Sequence, residues 1–269
     1  MKNKILLKLI LTQFIFLLLL FMGLTSCQKV INIDLNSVSP QVVIEGNITD
    51  QPGHDTIIIT QTVNFSQSNA FPAVTGAVVT ISDNSGNTEM LTEAKPGKYV
   101  TSVIHGIPGR TYSLSVTANG KTYTSTSAMP APVNIDTLIS KQEGFGHQIS
   151  WSARFVDPVG KNNYYALFLK IKNVVQPNFS SSDDHLRDGD TIDMRIPIPR
   201  DLTLNPGDTV DVILESIDRN VREYFRLLRQ LNRSGIMSAP PANPVNNITG
   251  GALGYFSAHA DRKKIFVIP

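Results

Sequence analysis

The 269-residue chain has one cysteine, Cys27, and one tryptophan, Trp151. A single thiol excludes a disulfide scaffold and any multi-thiolate metal centre. An excess of one charge is also missing, since 24 Lys and Arg stand against 22 Asp and Glu. That balance excludes a strongly basic nucleic-acid binder and an acidic disordered tail. No Gly-x-Ser-x-Gly occurs, so nothing announces the strained turn that presents a nucleophilic serine. The five histidines, His54, His105, His147, His185 and His259, are scattered, and no two stand at helical or hairpin ligand spacing. No cofactor is expected. Long hydrophobic runs are absent except at the start.

There, Lys2, Lys4 and Lys8 precede a nearly apolar run of fourteen residues, Leu9 to Met22, followed by Leu24-Thr25-Ser26-Cys27. A helix needs about twenty apolar residues to cross a bilayer, so the run reads as a signal peptide of residues 1–26. Leu24 to Cys27 resembles the bacterial lipobox. That resemblance implies cleavage before Cys27 and lipid on its thiol and new amine. More than one acyl chain is what stable anchoring requires. Gln28-Lys29 follows with no Asp at the second mature position, which by resemblance to enterobacterial sorting favours the outer membrane. The acids of a surface-export signal are lacking, so the choice between periplasmic face and cell surface stays open. Losing Lys2, Lys4 and Lys8 leaves 21 basic and 22 acidic side chains, so the pI of 8.6 belongs mostly to the precursor.

Residues 27–39 read as lipidated N-terminus and tether. From Pro40, period-two segments alternate with turn clusters, the pattern of antiparallel sheet. Strands are expected at Val42–Ile48, Thr56–Phe65, Ala77–Ser82, Thr88–Glu93 and Tyr99–Ile104. Thr111–Ala118 and Lys121–Ser127 form a hairpin across Asn119-Gly120. Seven short strands in about 90 residues is the density of an immunoglobulin-like sandwich. Thr75–Ile81 and Gly106–Tyr112 also resemble Ig-like and prealbumin-like stalk modules. Met129-Pro130-Ala131-Pro132 marks a boundary, because prolines cannot donate to a ladder. Strands resume at Gln148–Val156, Tyr164–Val174, Thr191–Ile198 and Thr209–Ser216. The period then changes: Val221, Tyr224, Phe225, Leu228 and Leu231 recur at helical spacing within 218–232. Asn220 with Glu223 suggests a capping box. Two short strands, Ala252–His259 and Lys264–Ile268, close the chain. The expected fold is mainly β: two tandem antiparallel β-sandwich domains, 40–130 (Ig-like or prealbumin-like) and 133–269, the second with one amphipathic helix.

Several segments together resemble the Bacteroidetes outer-membrane lipoprotein family known as domain of unknown function 4249. They are Val30–Leu35, Val43–Asp50, Ser216-Ile217-Asp218, Glu223-Tyr224-Phe225 and Pro244–Phe256. The resemblance implies an outer-membrane lipoprotein, often encoded beside a TonB-dependent receptor. It brings no activity and no catalytic residues.

The remaining motifs each have a plain and a functional reading. Arg222, Arg226, Arg229 and Arg233 share one helical face, as a solvated surface or as a cationic ridge for an acidic partner. Thr56, Thr137, Thr191 and Thr209 each follow Asp and precede an apolar residue, which resembles a Bacteroidetes O-glycosylation site and is also strand-start grammar. Asp183, Asp184, Asp188, Asp190 and Asp193 suit a calcium loop or a solvated one, and lack regular EF-hand spacing. Gly250-Gly251-Ala252-Leu253-Gly254 follows no strand, so it reads as a tight bend and not a phosphate cradle. Trp151 alternates with Ile149, Ala153 and Phe155, which places it in a core, whereas Tyr164 and Tyr165 face opposite ways.

The expectation is a non-enzymatic lipoprotein, anchored by Cys27, that serves a TonB-dependent receptor as partner or holds a glycan or peptide ligand. Nucleic acid is not expected. An envelope or imported-polymer hydrolase and a surface adhesin are the alternatives. A buried titratable cluster in a cleft would favour the hydrolase.

Overall fold

Apolar residues at every second position make half-buried strands, and the chain follows that rule over most of its length. In β1 (Val42–Thr49), Val42, Ile44 and Ile48 turn inward while Glu45 stays exposed. The first half continues with β2 (Thr56–Gln61), β3 (Val78–Asp83), β4 (Thr88–Met90), β5 (Thr92–Lys95), β6 (Lys98–Val100), β7 (Thr111–Ala118) and β8 (Lys121–Ala128). The second half contains β9 (Thr137–Glu143), β10 (Gln148–Val156), β11 (Tyr164–Ile171), β12 (Val174–Asp183), β13 (Thr191–Arg195) and β14 (Thr209–Ile217). The helix α1 (Arg219–Arg233) and the long strand β15 (Leu253–Val267) complete it. These elements come from a computed structural model that describes residues 12–14, 39–63, 71–143, 148–160, 162–199, 202, 205, 207–233 and 243–268. Of residues 1–38 only Thr12, Gln13 and Phe14 are described, helical and exposed; Cys27 and the lipobox lie outside the described residues. Among the described residues no helix is long and apolar enough to cross a membrane.

The fold is mainly β and its sheets are largely antiparallel. One sheet of eight strands runs β12-β11-β14-β15-β1-β2-β6-β5. Its first-half strands face the four-stranded sheet β4-β3-β7-β8 across a core that includes Ile44, Ile57, Tyr99, Tyr112, Leu114 and Phe256. Its second-half strands face the three-stranded sheet β13-β10-β9 across a core that includes Phe155, Tyr165, Leu167, Met194 and Leu214. Two sandwiches are therefore present, and they share a sheet. Residues 39–269 form a single compact unit. The proline-rich segment at 129–132 lies between β8 and β9, but β15 crosses back from the second half to the first.

β15 holds the arrangement together. Val43 to Thr49 of β1 pair in parallel with Leu253 to His259. From Ala260 onward β15 pairs antiparallel with β14, where Glu215 faces Asp261 and Thr209 faces Val267. Phe256, Ala258 and Ala260 enter the first core, whereas Phe266 packs on the second. The two closing strands expected at 252–259 and 264–268 are thus one 15-residue strand.

Several groups finish the ladder where β14 has not yet begun to pair. The Asn247 side chain accepts from Phe256 N–H and donates to its carbonyl, so it imitates a strand residue. Ser127 Oγ accepts from Ala258 N–H at 2.9 Å and donates to Asp218. Asp218 also caps α1 by accepting from Val221 N–H at 2.9 Å. The expected capping box on Asn220 is therefore replaced by Asp218, one residue before the helix, and Glu223 is spent on Arg226. The expected strand Thr88–Glu93 divides into β4 and β5, which belong to different sheets. The expected strand to Val174 stops at Ile171, because Lys172 (φ 47°) and Asn173 (φ 65°) form a tight turn into β12.

Gly254 marks where β15 meets β1. Its φ is +98°, and a Cβ there would lie 2.0 Å from the Ile44 carbonyl oxygen. Gly254→Ala is expected to lower the unfolding free energy by roughly 2–4 kcal/mol, strain and overpacking combined. Gly109 has φ +87° but open space around it. Gly109→Ala should lose only about 1 kcal/mol from strain. Denaturant titration of both variants checks this, and equal losses would contradict the close approach.

Candidate functional site

Buried charge is concentrated where β15 changes partners. The alternation that sends Ala258 and Ala260 into the first core sends Ser257, His259 and Asp261 to the opposite face. Ser257 and His259 are only 1% and 3% exposed. Ser257 Oγ lies 2.9 Å from His259 Nδ1. His259 Nε2 lies 3.5 Å from Asp261 Oδ1 and 3.8 Å from Glu215 Oε1. Burial pushes the imidazole down to about 4 against the pull of the Asp50 charge, so the ring is neutral at pH 7. Burial raises Glu215 well above the ordinary carboxylate range, and the facing Asp261 raises it further. Asp261 is also raised, by burial first and then by Asp50, with Arg262 opposing.

The turn after β1 supplies the other half of this network. Asp50 accepts from Asp261 N–H at 2.9 Å and from Arg262 at 2.7 Å. Burial works against the Asp50 charge, but the bonds from Arg262, Asp261 and Gln51 outweigh it and hold its pKa low. Asp55 accepts from Thr49 N–H, and its own N–H donates to Thr101 Oγ1. Its second oxygen is buried without a hydrogen-bond partner. Burial therefore raises the Asp55 pKa to about 6, although the Thr49 bonds and the nearby His105 and His54 oppose the rise.

A separate, open feature lies at the start of α1. A cleft of about 470 Å³ is lined by Asn162, Tyr164, Asp183, Asp184, His185, Arg219, Asn220, Arg222 and Glu223. Tyr164 and Tyr165 do face opposite ways. Tyr165 is buried beside Phe155 and bonds Asp157, whereas Tyr164 stays half-buried at the cleft. Trp151 packs on Phe266 with ring centroids 4.4 Å apart, as a core residue.

The other residues singled out by the sequence fall as follows. Arg222 pairs with Asp183 and Glu223, and Arg226 pairs with Glu223, so these two guanidiniums are largely neutralised in place. Arg229 is half-buried and also engaged, and the Arg233 side chain lies outside the described residues. Thr56, Thr137, Thr191 and Thr209 each begin a strand, the last three exposed and Thr56 half-buried. In the acidic loop, Asp157 accepts from Gly189 N–H, Asp188 from Gly160 N–H and Asp184 from Asn163 N–H. Asp193 is held by Arg154, so this loop uses its carboxylates to fasten its own backbone and neighbours. Gly250, Gly251 and Gly254 all take positive φ, which makes the glycine run a bend into β15.

The family model matches residues 28–265, a range that includes the segments that meet here, Val43–Asp50, Ser216–Asp218 and Pro244–Phe256. The chain belongs to the family described as Domain of unknown function (DUF4249). Among curated proteins, none matches this DUF4249 chain. A solved structure of two fibronectin type-III domains from chicken tenascin is similar over 66% of this chain and 90% of that one, at 13% identity and a TM-score of 0.21.

Asp55 yields a test of the buried network. Its folded-state pKa lies above the unfolded value, so the native state holds a proton that the unfolded chain releases. Stability from this group is present below about pH 4 and is lost as pH rises through 6. Relative to Asp55→Asn, the wild-type chain should lose roughly 2–3 kcal/mol between pH 4 and pH 7. Denaturant midpoints across that range check it; a constant difference would contradict the burial argument.

Proposed function

We propose that the chain is a non-enzymatic lipoprotein of the bacterial outer membrane, anchored through Cys27. It serves a TonB-dependent receptor, as a partner or by holding that receptor's ligand. The observation that carries this reading is the open polar cleft beside α1. Carboxylates, two amides, an imidazole and guanidiniums line it together with Tyr164. This mixture of donors and acceptors next to an aromatic suits a hydroxyl-rich glycan or a polar peptide. Arg219 and Asn220 are exposed at its rim and free of a core role. The lipobox and the residues between Cys27 and Ser39 would keep this cleft within a short tether of the membrane.

The hydrolase alternative draws on the Ser257–His259 contact and the adjoining carboxylates. A nucleophile must reach substrate, and Ser257 and His259 are 1% and 3% exposed. That burial favours a structural use of the cluster.

Native purification of the full lipoprotein from detergent-solubilised membranes tests the proposal. The expected result is co-purification of an outer-membrane receptor at low salt. Asn220→Ala combined with Arg219→Glu, both at exposed positions of the rim, should reduce recovery at least tenfold with an unchanged melting temperature. Absence of any receptor at every salt concentration, or palmitate that fails to label the wild-type chain and labels it no better than Cys27→Ser, would contradict it.

A further inference from the structure

We propose that Glu215, His259 and Asp261 form a binding site for a divalent transition-metal cation, with zinc the best match, at the point where β15 changes partners. One nitrogen and two carboxylate oxygens from these residues all lie within 4.8 Å of one another. Donors around a zinc ion sit about 2.0–2.2 Å from the metal, so tetrahedral neighbours lie roughly 3.3–3.5 Å apart. The observed separations from Nε2, 3.5 Å and 3.8 Å, need only a small contraction to reach that spacing.

Three further features point to a cation. Glu215 and Asp261 are direct cross-strand partners. Two carboxylates facing each other are unfavourable unless something positive joins them. Asp261 Oδ1 is buried and has no hydrogen-bond partner. Leaving a buried acceptor unsatisfied is costly, and a coordinated ion removes that cost. The nearest guanidinium, Arg262, is committed to Asp50 and to the Asp261 carbonyl.

The histidine is prepared for ligation. Its ring is 4% exposed, and Nδ1 is held by Ser257 Oγ at 2.9 Å. With Nδ1–H donating to that hydroxyl, the Nε2 lone pair points at the carboxylates, the outer-shell arrangement usual for ligating histidine. Imidazole in the donor set argues against calcium and magnesium, which take oxygen. Glu215 and Asp261 keep 16% and 20% of their side chains exposed, which leaves a route for the ion and a position for water.

The test uses the purified full mature chain and zinc chloride. Expected are one zinc per chain after dialysis, measured by elemental analysis, and a higher melting temperature that chelator reverses and calcium does not reproduce. His259→Ala should weaken zinc binding by roughly tenfold or more. Should His259→Ala fail to fold, Glu215→Gln keeps the shape, relieves the carboxylate pair and should fold while still losing zinc. No bound zinc and no thermal response at millimolar zinc would overturn the proposal. So would undiminished binding in Glu215→Gln, which would place the ion elsewhere, with Asp157, Asp184 and Asp188 the other candidate group among the described residues. A Glu215→Gln melting gain alongside a zinc-blind wild-type chain would show that a shared proton fills the cluster, and would overturn it equally.

Discussion

The parallel pairing of β1 with β15 is the interaction on which the rest of the structure depends. It joins segments more than 200 residues apart in the chain. It brings the C-terminal strand into the first core through Phe256, Ala258 and Ala260, while the same strand continues against β14 in the half of the sheet that covers the second core. Gly46 and Gly254 make the approach feasible. A Cβ at Gly46 would lie 2.8 Å from the Phe256 ring, and one at Gly254 would run into the Ile44 backbone. Without the pairing, the first sandwich would expose the edge of β1 and the second would lose the register that places Glu215 against Asp261.

A strand that serves two sandwiches and changes partners along its length leaves unpaired backbone groups on either side of the changeover. Polar side chains fill those gaps: Asn247 on Phe256, Ser127 on Ala258, Asp50 on the Asp261 amide. Each filled gap also ties in another element. Ser127 leads to Asp218 and hence to α1, and Asp50 leads to Arg262. Burying backbone amides without partners is expensive, so these side chains are as necessary as the apolar core. The same crowding of polar groups into a largely buried junction creates the displaced titrations of Glu215, His259, Asp261 and Asp55. The cleft beside α1 stands apart from this in character, open and lined by ion pairs.

What the sequence revealed was local. Alternation in Val42–Ile48, the Asn119-Gly120 turn, the opposed faces of Tyr164 and Tyr165 and the core-facing, half-buried Trp151 are all local features that need no knowledge of partners. The helix was legible from Val221, Tyr224 and Phe225, though its cap was displaced from Asn220 to Asp218 because a boundary shift of one or two residues leaves the periodicity unchanged. The β12 strand was missed because Lys172-Asn173 lacks the glycine that usually marks a two-residue turn. β15 was divided because Asp261-Arg262-Lys263-Lys264 reads as a solvated break, whereas Asp50 and Asp211 neutralise two of its cations within the sheet. The charge cluster was not legible, since it depends on the register between β14 and β15. The stripe Ser257, His259, Asp261 was its one visible trace.

Amide hydrogen exchange under native conditions tests the shared strand most directly. The most protected amides of β1 and of β14 should open with the same free energy and the same denaturant dependence, because neither sandwich survives the loss of β15. Two distinct opening free energies, with β1 and its first-sandwich neighbours exchanging while β14 stays protected, would contradict the account.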